Sequence, residues 1–215
     1  MEDHVYRTVL VAAWVAVFPI GAYYRIRSQS TREPLDRRQE GPFILATLRP
    51  AGLACFGAVI AYLVNPALMA WSALPLPMWL RVGGIVLWLM ASALFVWTLR
   101  SLGPNLTDTV VTRRAHTLVT TGPYRWVRHP FYGSVYLMLV ATALVAANWF
   151  ILLNATLVFV LLAIRTAIEE QHLRVRFPER YRAYEAATGA SCRGSAVRGT
   201  ERRPTCEVSG EATER

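Results

Sequence analysis

Lysine is absent from this chain of 215 residues: all 23 basic side chains are arginine. That usage points to a GC-rich, bacterial coding background, although arginine also suits carboxylates and phosphates better than lysine does. Cysteine is scarce too. Cys55 lies inside an apolar run, and Cys192 and Cys206 lie in a polar tail, which excludes a disulfide framework. Charge is thin overall: Asp, Glu, Lys and Arg make up 17% of the residues against 54% apolar. A soluble domain carries charge on about a quarter of its residues, so an ordinary soluble domain is excluded. No basic patch is interleaved with aromatic residues. The net charge of +9 therefore reads as membrane topology and attraction to anionic lipid, with no nucleic-acid partner.

What is present is a series of long hydrophobic runs, and these predict an all-α integral membrane protein. Spans are expected at about 5–24, 43–64, 79–99, 132–147 and 149–167, each near the ~20 residues a bilayer crossing needs, with the last two short. The first follows Glu2 and Asp3 instead of a basic segment, so it reads as an uncleaved span. Asn148 is the only strongly polar residue between the fourth and fifth runs and marks a tight helical hairpin. Arginines gather in 25–40 and 100–128, whereas 65–78 carries no charge. The positive-inside rule then puts the N-terminus outside and the C-terminus in the cytoplasm, consistent with a bacterial inner membrane. Residues 1–187 form the membrane domain. Residues 188–215 lack aromatic residues and predict a disordered cytoplasmic tail.

The polar, motif-like residues all fall on the cytoplasmic side. The 100–131 segment predicts a reentrant loop, because non-helical backbone near membrane depth is tolerated only when packed in protein or lining a cavity. Gly122-Pro123 marks a turn. Pro130 is suited to a first helical position, which leaves the N–H groups after His129 facing an acceptor. Arg165 and Glu169 are four residues apart and share a helix face. Glu170 points about 100° away from Glu169. An ordinary ion pair explains Arg165 and Glu169 on their own. An arginine inside an apolar span beside the 116–132 segment favours a functional site. Trp126 reads as an interfacial anchor, Arg128 as a structural or lipid-facing arginine, and Arg49 as snorkelling to the interface.

Three elements in order carry a resemblance: His116-Thr-Leu-Val-Thr-x-Gly-x-Tyr124, then Trp126-x-Arg128-His129-Pro130-x-Tyr132, then Arg165-Thr-x-x-Glu169-Glu170-x-x-Leu173 with Phe177 and Tyr181-x-x-Tyr184. Over residues 100–185 the chain resembles the isoprenylcysteine carboxyl methyltransferase family. The resemblance implies an integral membrane methyltransferase that uses S-adenosylmethionine, leaves S-adenosylhomocysteine, and needs no metal. Carried over by position, it implies a cofactor site of His116, Thr117, Leu118, Val119, Tyr124, His129, Pro130, Phe131, Tyr132 and Glu169. It implies that Arg165 faces the acceptor, with Glu170 as a second catalytic residue. The family's Gly two positions after its last Tyr is replaced here by Ser134, with Gly133 one position early. The implied partner is a lipid or lipophilic small molecule, with no obligatory protein partner.

Two other classes stay open from the residues alone. Membrane sterol-type reductases resemble the Arg-His-Pro-x-Tyr segment and bind a nicotinamide dinucleotide there, but they carry Asn where this chain has Phe131. A non-catalytic membrane assembly protein would bind no cofactor and would tolerate changes at Glu169.

Overall fold

A computed structural model describes residues 2–29, 42–103 and 118–188. Six helices run in order: α1 Glu2–Gln29, α2 Pro42–Val64, α3 Met78–Leu102, α4 Pro130–Ala146, α5 Trp149–Arg176 and α6 Pro178–Ala187. Two 3-10 turns, Pro66–Ser72 and Gly122–Arg125, precede α3 and α4. The expected loop character of 104–117 and the expected disorder of 189–215 lie outside the described residues.

Five expected spans become four long ones and a short one. Among the described residues α1, α2, α3 and α5 are long and apolar enough to cross a bilayer, while α4 has only 17 residues. At 1.5 Å per residue α4 is about 25 Å long, short of the ~30 Å hydrocarbon core. Buried connections complete its path. Ala147 closes it in the left-handed region at φ 50, with its N–H on Leu144. The next residue, Asn148, caps α5 by accepting from the Ile151 N–H at 3.1 Å. Its amide also donates to Met69 O and Ser72 Oγ at 3.2 and 2.8 Å, so both of its N–H donors and its carbonyl oxygen are engaged. The predicted hairpin is thus pinned to the turn before α3.

α5 extends to Arg176, nine residues past its expected end at 167. The expectation stopped where charge begins. The helix continues because Glu170 and Arg174 find partners on the preceding loop and on α6.

The core is shared by α1 to α5 and holds Leu10, Val59, Trp88, Met138 and Ile151. α3 and α4 approach closely at Gly84. A Cβ at Gly84 would meet Leu144 Cβ and Val145 Cγ2 at 3.0 Å, and the Val145 backbone nitrogen at 3.2 Å. Small residues permit such approach in membrane bundles, where dispersion and polar contacts replace the hydrophobic drive. At this same end two arginines cap helix C-termini. Arg7 donates to Leu63 O and Val64 O at 2.7 Å, and Arg81 donates to Val145 O at 3.0 Å while pairing with Asp3 at 2.8 Å. Cations suit the negative ends of helix dipoles, and both arginines satisfy carbonyls that would otherwise be left without donors.

Candidate functional site

The far end of the bundle holds the predicted polar segment. Gly122 has φ +62, and a Cβ there would collide with the Ser101 side chain at the end of α3. Only glycine fits this positive-φ position. The loop so placed runs through Pro123 and Tyr124, both buried, and delivers His129 as the residue before α4 with Pro130 in its first turn. Pro130 therefore sits where its fixed φ and missing donor cost nothing.

Three side chains of this junction meet the C-terminal part of α5. Glu170, buried, takes two donors on one oxygen: Arg128 Nε at 2.9 Å and His129 Nε2 at 3.1 Å. Because a carboxylate only accepts, His129 carries its proton on Nε2 in this arrangement. The His129 ring lies parallel to Tyr132, 7° between planes with centroids 5.8 Å apart. Tyr132 in turn donates its hydroxyl to Glu169 Oε2 at 3.0 Å. The adjacent glutamates thus face different partners, as the 100° step between them requires.

Behind this set, an apolar cavity of about 540 Å³ opens between α1, α3, α4 and α5, with Phe56 of α2 also in its wall. Its wall includes Trp14 and Phe18 of α1, Phe95 of α3, Phe131 and Tyr132 of α4, and the guanidinium-bearing Arg165 of α5. Arg165 is buried at 8% exposure. Arg25 of α1 also borders the cavity and is exposed. The cavity volume falls within the ~300–1,000 Å³ typical of small-molecule sites. A greasy chamber with a buried cation in its wall can hold an amphiphile whose polar end meets that cation.

α6 covers the loop from the other side. Tyr181 and Tyr184 pack with Leu173, Phe177 and Leu118 in a small apolar cluster. Tyr184 donates to Tyr124 O at 2.7 Å. Arg128 reaches over to donate to Thr188 O at 2.8 Å, and Arg174 bridges to Glu185 at 3.2 Å. Burial pushes the Tyr184 phenol up to about 12. Burial also pushes the Tyr124 phenol up, with the nearby Glu169 carboxylate adding to it. The Arg174 guanidinium holds the Glu185 carboxyl below its usual range.

The expected residues accordingly separate into groups. His129, Tyr132, Glu169 and Glu170 come together, and Phe131, Tyr132 and Arg165 share the cavity wall. Glu170, expected as a second catalytic residue, accepts from Arg128 and His129. Leu118, expected at the cofactor, packs under α6, and Val119 beside it is half-buried. Tyr124 is buried with the Glu169 carboxylate nearby, and its backbone carbonyl accepts from Tyr184. His116 and Thr117 lie outside the described residues. Arg128, read as structural or lipid-facing, proves central to the polar network. Its one sequence signal is its place next to His129. Nothing in the sequence pairs it with a glutamate 42 residues away.

Comparison with known proteins gives a likeness of fold first. A solved structure of the eukaryotic intramembrane Ras methyltransferase isoprenylcysteine carboxyl methyltransferase is similar to this chain, with a TM-score of 0.54 at 21% identity, covering 86% of this chain and 63% of that one. The chain has that all-helical membrane fold, and it spans less than two thirds of that protein's length. Residues 79–180, which include Tyr132, Arg165 and both glutamates, match the family model described as phospholipid methyltransferase. Both comparisons thus liken the chain to methyltransferases, one through the membrane fold and one through the sequence of residues 79–180. No curated protein matches it.

Proposed function

We propose that this chain is an S-adenosylmethionine-dependent membrane methyltransferase acting on a lipophilic, membrane-borne acceptor, with carboxylate O-methylation as the model reaction. The observation that carries this reading is one wall with two faces. Tyr132 borders the apolar cavity beside buried Arg165, and through its hydroxyl it holds Glu169.

The residues present fit the cofactor. Glu169 is a half-buried carboxylate able to accept from a ribose hydroxyl or an ammonium group, which charge assistance strengthens. Tyr132 and Tyr124 supply aromatic faces suited to a sulfonium cation. The cofactor supplies an activated methyl group, and the protein's task is alignment. Tyr132 fixes Glu169. Arg165 presents a planar fork to an anionic or polar acceptor head, and the cavity takes the chain behind that head. A carboxylate nucleophile needs no general base, so Arg165 has only to hold it in line with the methyl group, with reacting atoms ~3 Å apart. Phe131, Phe95 and Trp14 keep water from that point. His116, Thr117, Leu118, Val119 and Pro130 complete the proposed cofactor surround. The site faces the cytoplasm and its cofactor pool, with the N-terminus outside, in a bacterial inner membrane.

Calorimetric titration of the detergent-purified chain tests this reading. S-adenosylhomocysteine should bind, and NADPH should give no heat. Glu169→Ala should weaken binding about tenfold, the ~1.4 kcal/mol of one lost charge-assisted hydrogen bond. Binding of NADPH in its place would turn the reading to a reductase. Binding of neither would turn it to a non-catalytic protein.

A further inference from the structure

Arg128 and Glu170 lie outside the cavity wall, and the proposed mechanism gives neither of them contact with acceptor or cofactor. Yet they form an enclosed ion pair, with each side chain 11% exposed and 2.9 Å between them. Such a pair is weak evidence for stability, since desolvation offsets most of its attraction. Its geometry points elsewhere. Glu170 Oε1 receives Arg128 Nε and His129 Nε2 together, so one oxygen fixes both donors. The other end of the Arg128 guanidinium is held by Thr188 O at 2.8 Å. Arg128 is therefore bonded on two sides, to Glu170 of α5 and to the residue that ends α6.

We infer that Arg128 and Glu170 are positioning residues for the Tyr132–Glu169 couple, acting through His129. This rests on the cofactor role proposed for Glu169. Arg128 neutralises Glu170 and sets the direction of its carboxylate. That carboxylate holds the His129 ring by Nε2, and the ring lies flat beside Tyr132 at 7°. Tyr132 then presents its hydroxyl to Glu169 at 3.0 Å. Without the clamp the imidazole is free to turn, the phenol loses its flat neighbour, and Glu169 loses a fixed donor. Site groups held loosely bind less well even when every contacting residue is intact. Removing Arg128 alone leaves the buried carboxylate with only His129 on Oε1 and, at 3.5 Å, the Arg174 guanidinium on Oε2.

A double-mutant cycle in the full chain tests this, with S-adenosylhomocysteine affinity as the readout. Arg128→Gln and Glu170→Gln should each weaken binding about tenfold, and the double variant should be no worse than the weaker single, since both cut one linkage. Arg128→Lys, which restores charge at Glu170 but gives up the second arm to α6, should return affinity to within about threefold of the parent. Two controls separate positioning from scaffolding. The melting temperature of cofactor-free Glu170→Gln, whose amide is isosteric, should stay near that of the parent. Tyr184→Phe, which releases α6 from Tyr124 without touching Glu170, should bind within about twofold. Additive losses in the cycle would overturn the inference, and so would a Tyr184→Phe loss as large as that of Arg128→Gln. Unchanged affinity in Glu170→Gln while Glu169→Ala loses its tenfold would overturn the inference and leave the cofactor site standing. Unchanged affinity in Glu169→Ala would remove the cofactor site itself.

Discussion

Arg165 carries the sharpest residue-level consequence. It is buried in the wall of an apolar cavity, whereas Glu169, one helical turn on, is bonded to Tyr132. Arg165→Ala should leave S-adenosylhomocysteine affinity within about threefold while lowering kcat/KM at least a hundredfold, ~2.7 kcal/mol of transition-state stabilisation. Arg165→Lys should rescue little, because an ammonium cannot reproduce the planar fork. Loss of cofactor binding in Arg165→Ala would instead make this arginine a brace for Glu169. Gly122 is the second residue where the backbone decides the outcome. At φ +62 and against Ser101, Gly122→Ala should cost roughly 1–3 kcal/mol and displace the loop that delivers His129, measurable as a lowered melting temperature. Its sequence signal, Gly before Pro, was legible as a turn, but the contact with α3 was not.

Among the elements, α4 and α5 show where sequence patterning stops. Hydropathy placed both helices and Asn148 placed the break between them, since nothing else polar lies there. The length of α5 was hidden, because the charges that appear to end it are neutralised by residues 42 positions back and 11 positions on. Asn148→Ala should cost roughly 2 kcal/mol through the lost cap and the donors withdrawn from Met69 O and Ser72 Oγ. Thermal unfolding in detergent measures it. α6 makes a pH prediction. The Tyr184 phenol is raised from 10.0 to about 12. A group with a raised folded pKa contributes stability fully present below its unfolded value and lost as pH rises through the folded one. α6 should therefore hold at neutral pH and loosen between pH 10 and 12, seen as tyrosinate absorbance rising together with trypsin cleavage at Arg180 and Arg182. Tyrosinate formation at an ordinary phenol pKa, with α6 still protected, would contradict its burial.

At the scale of the whole molecule, the helical membrane class and the order of α1 to α5 follow from hydropathy, whereas the polar α6 does not. The Arg-His-Pro-x-Tyr and Arg-x-x-x-Glu-Glu elements carry the residues of the polar cluster, which hydropathy does not mark. The cavity was not legible, because α1 contributes Trp14 and Phe18, whose apolar character looks the same facing lipid or facing a ligand. The two capping arginines were equally hidden: Arg7 and Arg81 reach carbonyls 56 and 64 residues away. The proposed orientation has its own test in a chain with Cys192 and Cys206 changed to Ser. A cysteine placed at Ala70 should be labelled by impermeant maleimide in intact cells, and one at Ser195 only after lysis. The reverse pattern would turn the site away from the cytoplasmic cofactor pool.

The most direct test of methyl transfer to a lipophilic acceptor uses membranes from cells expressing the chain, supplied with S-adenosylmethionine labelled in its methyl group. Label should appear in the organic-solvent extract and should fall at least about a hundredfold, ~2.7 kcal/mol, in membranes carrying Arg165→Ala at equal protein level. An extract without label above that of membranes lacking the chain, or label undiminished by Arg165→Ala, would contradict the account.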